Sequence, residues 1–312
     1  MSSYRQILKS TALVGGAQFV TLVVNIVRTK VLAVWLGTAG VGIAGLYSTG
    51  VSLVGVVAGL GLGTSGVRQI AESASSGDQE RLARTVRTLR VTALVTSLVG
   101  TLVVVACAVP LSRASFGTAE TIHVIGFVVV GVSLLFSGVS TAQLALLQGL
   151  RRLREMASAQ ILGTVLGSAA AIGVVYFLRD QGIAWYILVA TLGSAFASWW
   201  YARRVKVEKP EMTGQDFSVE LRGLLGMGIA FMTADLVRNA TAYLSRVLVQ
   251  HDLGLGAVGL YVATWNLSSQ YVGMILGAML ADFAPRLTAV AKDLPATALW
   301  RLTPPARVRF SV

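Results

Sequence analysis

Long apolar stretches separated by short basic clusters set the pattern of this chain. A helix needs about 20 apolar residues to cross a bilayer. Stretches of that kind fall near residues 11–34, 42–64, 91–111, 122–148, 157–178, 183–202, 224–249 and 256–280. The pattern predicts an all-α, polytopic membrane protein of about eight transmembrane helices. The first stretch runs past Arg28 and Lys30 without a small-residue cleavage site ahead of a soluble region, so it reads as a retained helix and not a signal peptide.

The basic residues alternate between the two sides. Arg5 and Lys9, then Arg68, Arg81, Arg84, Arg87 and Arg90, then Arg151, Arg152 and Arg154, then Arg203, Arg204, Lys206, Lys209 and Arg222 all fall on one side, as does the tail. The opposite short loops hold only Arg113 and Arg179. Basic residues tend to stay cytoplasmic, so this asymmetry predicts a cytoplasmic amino terminus.

Composition sharpens this picture. Hydrophobic residues make up 54% and charged residues 13% of the chain, against about a quarter charged in soluble domains. The net charge of +12 follows from the loop bias, and its expected partners are anionic membrane lipids. No nucleic acid is expected, since no soluble module of aromatic and basic residues accompanies the charge. Cys107 is the only cysteine, which excludes an internal disulfide and a cysteine metal site. His123 and His251 sit at span ends without ligand spacing, so neither a metal nor a cofactor is expected.

The chain also matches itself. Asn25, Gly40, Gly42, Gly45-Leu46-Tyr47, Leu53, Gly59 and Gly63 recur 214 residues later as Asn239, Gly254, Gly256, Gly259-Leu260-Tyr261, Leu267, Gly273 and Gly277. An internal repeat between apolar segments is the trace of a transporter built from two related halves. The expected organisation is an N-terminal six-helix bundle over 1–214, the first two helices of a pseudo-symmetric second bundle over 215–283, and a basic tail over 284–312 on the cytoplasmic side.

Polar side chains within the spans mark candidate chemistry, because a charge at mid-membrane costs about 2.5 to 3.5 kcal/mol on insertion scales. Asp235, Arg238, Asn239 and Arg246 lie within about 100 degrees of one another at 100 degrees per residue. Gln18, Asn25 and Arg28 form a similar line in the first span. At the 214 offset Asn25 falls on Asn239, so equivalent faces of the two halves would border a central cavity. Basic residues outnumber acids there, which favours an anionic passenger, and the planar fork of arginine suits phosphate. Against this stand two plainer readings: Asp235 and Arg238 neutralise each other, and Arg28 and Lys30 reach outward to headgroups.

Gly55, Gly59 and Gly63 share a helix face that permits close approach by a neighbour. Gly61, Gly63 and Gly66 form a formal G-x-G-x-x-G, but no strand precedes it and no dinucleotide site is expected. Ser76-Gly77-Asp78 reads as a turn and helix cap opening a short surface helix that leads into the third span.

Several strings carry a family likeness. Residues 66–90 (GVRQIAESASSGDQERLARTVRTLR), 147–154 (LQGLRRLR), 40–50 (GVGIAGLYSTG) and 282–293 (DFAPRLTAVAKD) resemble the Wzx-type O-antigen and polysaccharide flippases of bacteria. These belong to the superfamily that also holds the lipid II flippases and the multidrug and toxin extrusion antiporters. The resemblance covers roughly residues 1–293. It implies two six-helix bundles around a cavity open alternately to each side. The implied passenger is a polyprenyl-diphosphate-linked oligosaccharide of O-antigen or another polysaccharide. The implied place is the bacterial inner membrane. In that family cationic cavity residues meet the diphosphate and sugar, a role that falls here to Arg28, Arg238 and Arg246.

Two departures stand against the family pattern. Ala284 occupies a position commonly aromatic, and the family continues for about four further spans where this chain enters a Pro- and Arg-rich tail. The tail reads as a truncation or frame change. Asp235 is the candidate for coupling to a proton or sodium counter-ion. The expected activity is transport and not enzyme catalysis. The alternatives are a multidrug and toxin extrusion-like antiporter, an inactive truncated remnant, and a membrane glycosyl-transfer enzyme. The last would need more external acids than Glu120, Asp180 and Asp252.

Overall fold

The computed structural model describes residues 2–205 and 213–293. Within them the chain is helical, with no strand: α1 (Ser2–Gly59), α2 (Leu62–Ser75), α3 (Gln79–Ala106), α4 (Ala108–Phe116), α5 (Thr121–Gly149), α6 (Leu153–Leu178), α7 (Ile183–Ala202) and α8 (Gly214–Asp293). The expected basic tail lies beyond the described residues from position 294 onward. The chain divides into two units, residues 1–264 and 265–312.

Helices long and apolar enough to cross a membrane number six among the described residues. Two of these are interrupted. Gly37 (φ 69°, ψ −175°) breaks α1 and Gly254 (φ 80°, ψ 175°) breaks α8, each in a backbone region that only glycine enters without strain. The two breaks restore the count of about eight apolar legs, and the protein is a multi-pass membrane protein. The stretch predicted over 42–64 ends early, however. Leu60 (φ 47°) and Gly61 (φ 66°) turn left-handed and separate the second leg of α1 from α2. Gly55, Gly59 and Gly63 therefore do not share one continuous face. A Cβ on Gly55 would touch Leu134 and one on Gly63 would touch Thr141, whereas Gly59 has nothing within 4 Å.

Packing relies on small residues, since lipid offers leucine nothing that another leucine improves upon. The backbones of α6 and α7 approach so closely that a Cβ on Gly167 would strike Ala190 and one on Gly163 would strike Ser194. Large apolar side chains such as Phe177 and Leu253 remain exposed, as a lipid-facing surface requires. Two clusters fill the interior. One gathers Leu46, Tyr47, Val104, Phe127, Val130 and Val175. The other, toward the basic end, gathers Ile70, Leu89, Leu146, Leu147 and Met156.

At the basic end Asp78 caps α3, accepting from the Arg81 amide at 2.9 Å. The expected surface helix is the first turns of α3 itself, with no break before the span. Its basic residues reach α8: Arg84 pairs with Asp216 at 3.5 Å and Arg81 with Glu220 at 4.0 Å. The Thr85 hydroxyl donates to Glu220 at 3.0 Å.

Near their breaks α1 and α8 cross with matching contacts, in a register other than the 214 of the sequence match. Near the breaks, a Cβ on Gly42 would strike the Leu255 carbonyl, and one on Gly259 the Thr38 carbonyl. Gly45 faces Val262 across the same crossing, its Cβ position 2.7 Å from a Val262 methyl. These contacts are reciprocal when residues 217 apart are equated, the separation of Gly37 from Gly254 and of Gly42 from Gly259. Leu36-Gly37 then matches Leu253-Gly254, and Val41-Gly42 matches Val258-Gly259. The 214 register is displaced by three residues, close to one helical turn of 3.6, so it kept glycines on the right face while choosing the wrong ones. With this correction Asn25 is not the counterpart of Asn239, and Gln18 becomes the counterpart of Asp235.

Candidate functional site

Helix α8 packs against the rest of its unit on both sides of a stretch that stands away. Near the basic end Gly228 meets the α1–α2 break, where a Cβ on Gly61 would strike the Gly228 carbonyl and one on Gly228 the Leu60 carbonyl. Near the other end the Tyr243 and Ser115 hydroxyls are 2.9 Å apart. There Arg246, only 7% exposed, donates to the Gly45 carbonyl at 3.1 Å. Between these contacts a chamber of about 400 Å³ opens, with Met232, Asp235, Arg238 and Asn239 on its α8 side. Opposite stand Ser52 and Gly59 of α1, Thr96 and Ser97 of α3, and Ser137 and Thr141 of α5.

Inside this chamber the charges are paired. Arg238 lies 3.0 Å from Asp235, one turn away, the neutral arrangement that makes a charged helix insertable. The Asn239 amide turns back to its own helix, donating to the Asp235 carbonyl at 2.8 Å.

A second chamber of about 340 Å³ shares Ser137 and Thr141 with the first. It is bordered by Arg28 and Ser48 of α1, Ser140 of α5, and Tyr186, Thr191 and Ser194 of α7. Arg28 sits over the Tyr186 ring at 5.3 Å from its centroid, a cation–π contact that gains in a desolvated setting, and Tyr186 is buried. Arg28 therefore turns inward and not toward headgroups. Its Nε is buried without a hydrogen-bond partner, and among the described residues no carboxylate borders this chamber.

Of the residues singled out by sequence, Arg28, Asp235, Arg238 and Asn239 border a chamber. Arg246 does not: it is buried and donates through one terminal nitrogen to the Gly45 carbonyl. Gln18 is exposed and Asn25 half-buried on α1, and neither borders either chamber. The polar faces were expected to meet between two bundles: the first chamber lies between α8 and the helices that precede it, whereas the Arg28 chamber lies among α1, α5 and α7 alone. Sequence reasoning missed Tyr186, whose position in an apolar run gives no signal. It also missed the hydroxyls of α5, where Ser133, Ser137, Ser140 and Thr141 recur at three- and four-residue spacing and could have been read as a polar stripe.

The histidines take no part in these chambers. His123 stacks on Phe116 at 4.0 Å between centroids and shares a 3.2 Å hydrogen bond with the Tyr47 hydroxyl. His251 is exposed beside Asp252.

Over residues 7–287 the chain matches the family described as Polysaccharide biosynthesis protein. No curated protein matches it. Several solved structures share its fold. The MATE multidrug transporter DinF-BH, solved as a complex, is 14% identical, with a TM-score of 0.71 over 89% of this chain and 62% of that one. An inward-facing multidrug resistance MATE family transporter of the MOP superfamily is 17% identical, with a TM-score of 0.65 over 84% and 60%. An outward-facing structure of the same description is 19% identical, with a TM-score of 0.68 over 88% and 62%. The chain thus spans 60 to 62% of the length of these transporters, and at such identities the likeness is one of fold.

Proposed function

Because the chain belongs to the polysaccharide biosynthesis protein family, we propose that it serves to flip a polyprenyl-diphosphate-linked oligosaccharide, the repeat unit of O-antigen or another polysaccharide, across the bacterial inner membrane. The amino terminus and the basic loops face the cytoplasm, and the passenger moves to the periplasmic leaflet by alternating access. The observation that carries this reading is Arg28, an inward-turned guanidinium with no carboxylate beside it in a hydroxyl-lined chamber. A low-dielectric chamber with one uncompensated positive charge favours a negatively charged headgroup over a neutral or cationic one. Arg238 adds a second cation once Asp235 releases it. The prenyl chain stays in lipid.

A small cationic passenger is the weaker reading. The acid that would meet it, Asp235, already has Arg238 as its partner.

The test is surface O-antigen display in a cell lacking its own flippase, supplied with this chain alone or extended by the further helices of a longer relative. Rescue that disappears with Arg28→Ala, in protein shown to be inserted, supports the proposal. Absence of rescue by both forms, with the matching sugar present, sinks it.

A further inference from the structure

The hydroxyls around Arg28 are not interchangeable donors and acceptors. A serine or threonine hydroxyl carries one proton and two lone pairs, and within a helix the proton often goes to a carbonyl of the preceding turn. Ser137 donates to the Leu134 carbonyl at 2.9 Å, Thr141 to the Ser137 carbonyl at 2.9 Å and Thr191 to the Ile187 carbonyl at 2.9 Å. Ser194 makes a longer bond to the Ala190 carbonyl at 3.4 Å. A carbonyl can only accept, so in each case the proton is spent on the backbone. What these side chains have left to offer is oxygen lone pairs. Apart from the Tyr186 hydroxyl, the wall formed by α5 and α7 offers mostly acceptors, facing the guanidinium of Arg28 with its unpartnered Nε.

A ligand complementary to such a wall brings several hydrogen-bond donors and one acceptor or anionic group. A bare diphosphate carries acceptors alone and would set oxygen against oxygen along α5 and α7. A sugar ring carries hydroxyl protons on several sides together with ring, carbonyl or carboxylate oxygens. The chamber's 340 Å³ lies at the low end of small-molecule sites, about 300–1,000 Å³, a size suited to one sugar residue and not to a long oligosaccharide.

We infer that the Arg28 chamber reads a single sugar residue of the passenger through its free hydroxyl protons, and that Ser137, Thr141 and Thr191 are the residues that set this preference. The inference rests on the reading of the chain as a carrier of lipid-linked saccharide. It divides the headgroup: the sugar lies along the α5 and α7 wall, and the diphosphate stays at the chamber's edge within reach of Arg28. Sites that hydrogen-bond a ligand hydroxyl discriminate strongly against analogues lacking it, because their own polar atoms are then left unpaired. Methylation or acetylation of the sugar hydroxyls removes the protons the wall requires.

The experiment measures binding of three probes to the full chain in lipid nanodiscs. The probes are polyprenyl diphosphate, polyprenyl diphosphate bearing one hexose (gluco, galacto and manno forms separately), and the same compounds with the hexose hydroxyls methylated. A free-hydroxyl hexose form is expected to bind about tenfold more tightly than the other two kinds, on the order of one or two net hydrogen bonds. In the double variant Thr141→Val and Thr191→Val, which keeps side-chain shape, that advantage disappears. The pair Thr141→Ser and Thr191→Ser retains the acceptors and restores the advantage, which separates lost chemistry from lost folding. Equal binding of methylated and free hexose, or an advantage that survives the valine pair, overturns the inference and leaves the flippase reading standing. Failure of all three probes to bind the unaltered chain better than polyprenyl alcohol sinks both.

Discussion

Arg246 reaches across from α8 to donate a 3.1 Å hydrogen bond to the carbonyl of Gly45 on α1. That carbonyl also accepts from the Thr49 hydroxyl at 2.7 Å, so it does not depend on the arginine. A buried charge replaced by a well-packed apolar residue is often neutral or stabilising, whereas emptying the space is not. Arg246→Met should leave the thermal unfolding midpoint in detergent unchanged or higher. Arg246→Ala should lower stability by about 2 to 4 kcal/mol through the cavity it leaves. Equal losses from both would mean that the charge itself holds the crossing.

Gly42 and Gly259 each face a backbone carbonyl of the opposite segment, and a backbone cannot swing aside as a side chain can. Gly42→Ala and Gly259→Ala should each cost about 1 to 3 kcal/mol, and the double variant less than their sum, since the first already separates the helices. Gly59→Ala, with open space around it, should stay within about 0.5 kcal/mol of the unaltered protein. Chemical unfolding of the four proteins reads all of this.

The Asp235 and Arg238 side chains remain 48% and 78% exposed, so their ion pair contributes at most about 1 kcal/mol. Asp235→Asn should therefore barely change stability. If Asp235 couples movement to a proton or sodium ion, as we propose, the same variant abolishes the dependence of transport on that ion gradient. Transport by Asp235→Asn that still follows the gradient removes the assignment.

The contacts of Arg81 and Arg84 with Glu220 and Asp216 sit at a wet end of the molecule, with Arg84 and Asp216 25% and 34% exposed. Partly exposed charges of this kind are weakened as salt shortens the screening length, about 10 Å at 0.1 M and about 3 Å at 1 M. Asp216→Lys should loosen α8 there, seen as faster amide exchange over residues 214–222. Restoring the opposite sign with Arg84→Glu should slow the exchange again. High salt should shrink the difference between the variants.

The membrane character and the approximate number of legs were legible because the bilayer imposes a length and a polarity that composition cannot hide. The Asp78 cap was legible because its chemistry is local. The register of the repeat was not. Glycines spaced near one helical turn match almost as well three residues out of step, and only the reciprocal contacts of Gly42 with Leu255 and of Gly259 with Thr38 distinguish 217 from 214. The candidate site was half legible. Charged residues in apolar runs announce themselves, so Arg28, Asp235 and Arg238 could be named, but whether such a residue faces a chamber or a carbonyl depends on its neighbours in space. Arg246 had the right helix angle and the wrong depth. Tyr186 could not be found at all, since a tyrosine among apolar residues looks the same whether it faces lipid or supports a guanidinium.

The way α8 is held has a mechanical consequence. From Gly228 to Tyr243 the helix is about 15 residues, roughly 22 Å at 1.5 Å per residue, clamped at each end by contacts that leave little slack. A rod fixed at two points responds to a load between them by flexing and not by sliding. Whatever fills the chamber beside Asp235 and Arg238 must therefore register as curvature in that span, which makes residues 229–242 the strain gauge of the molecule.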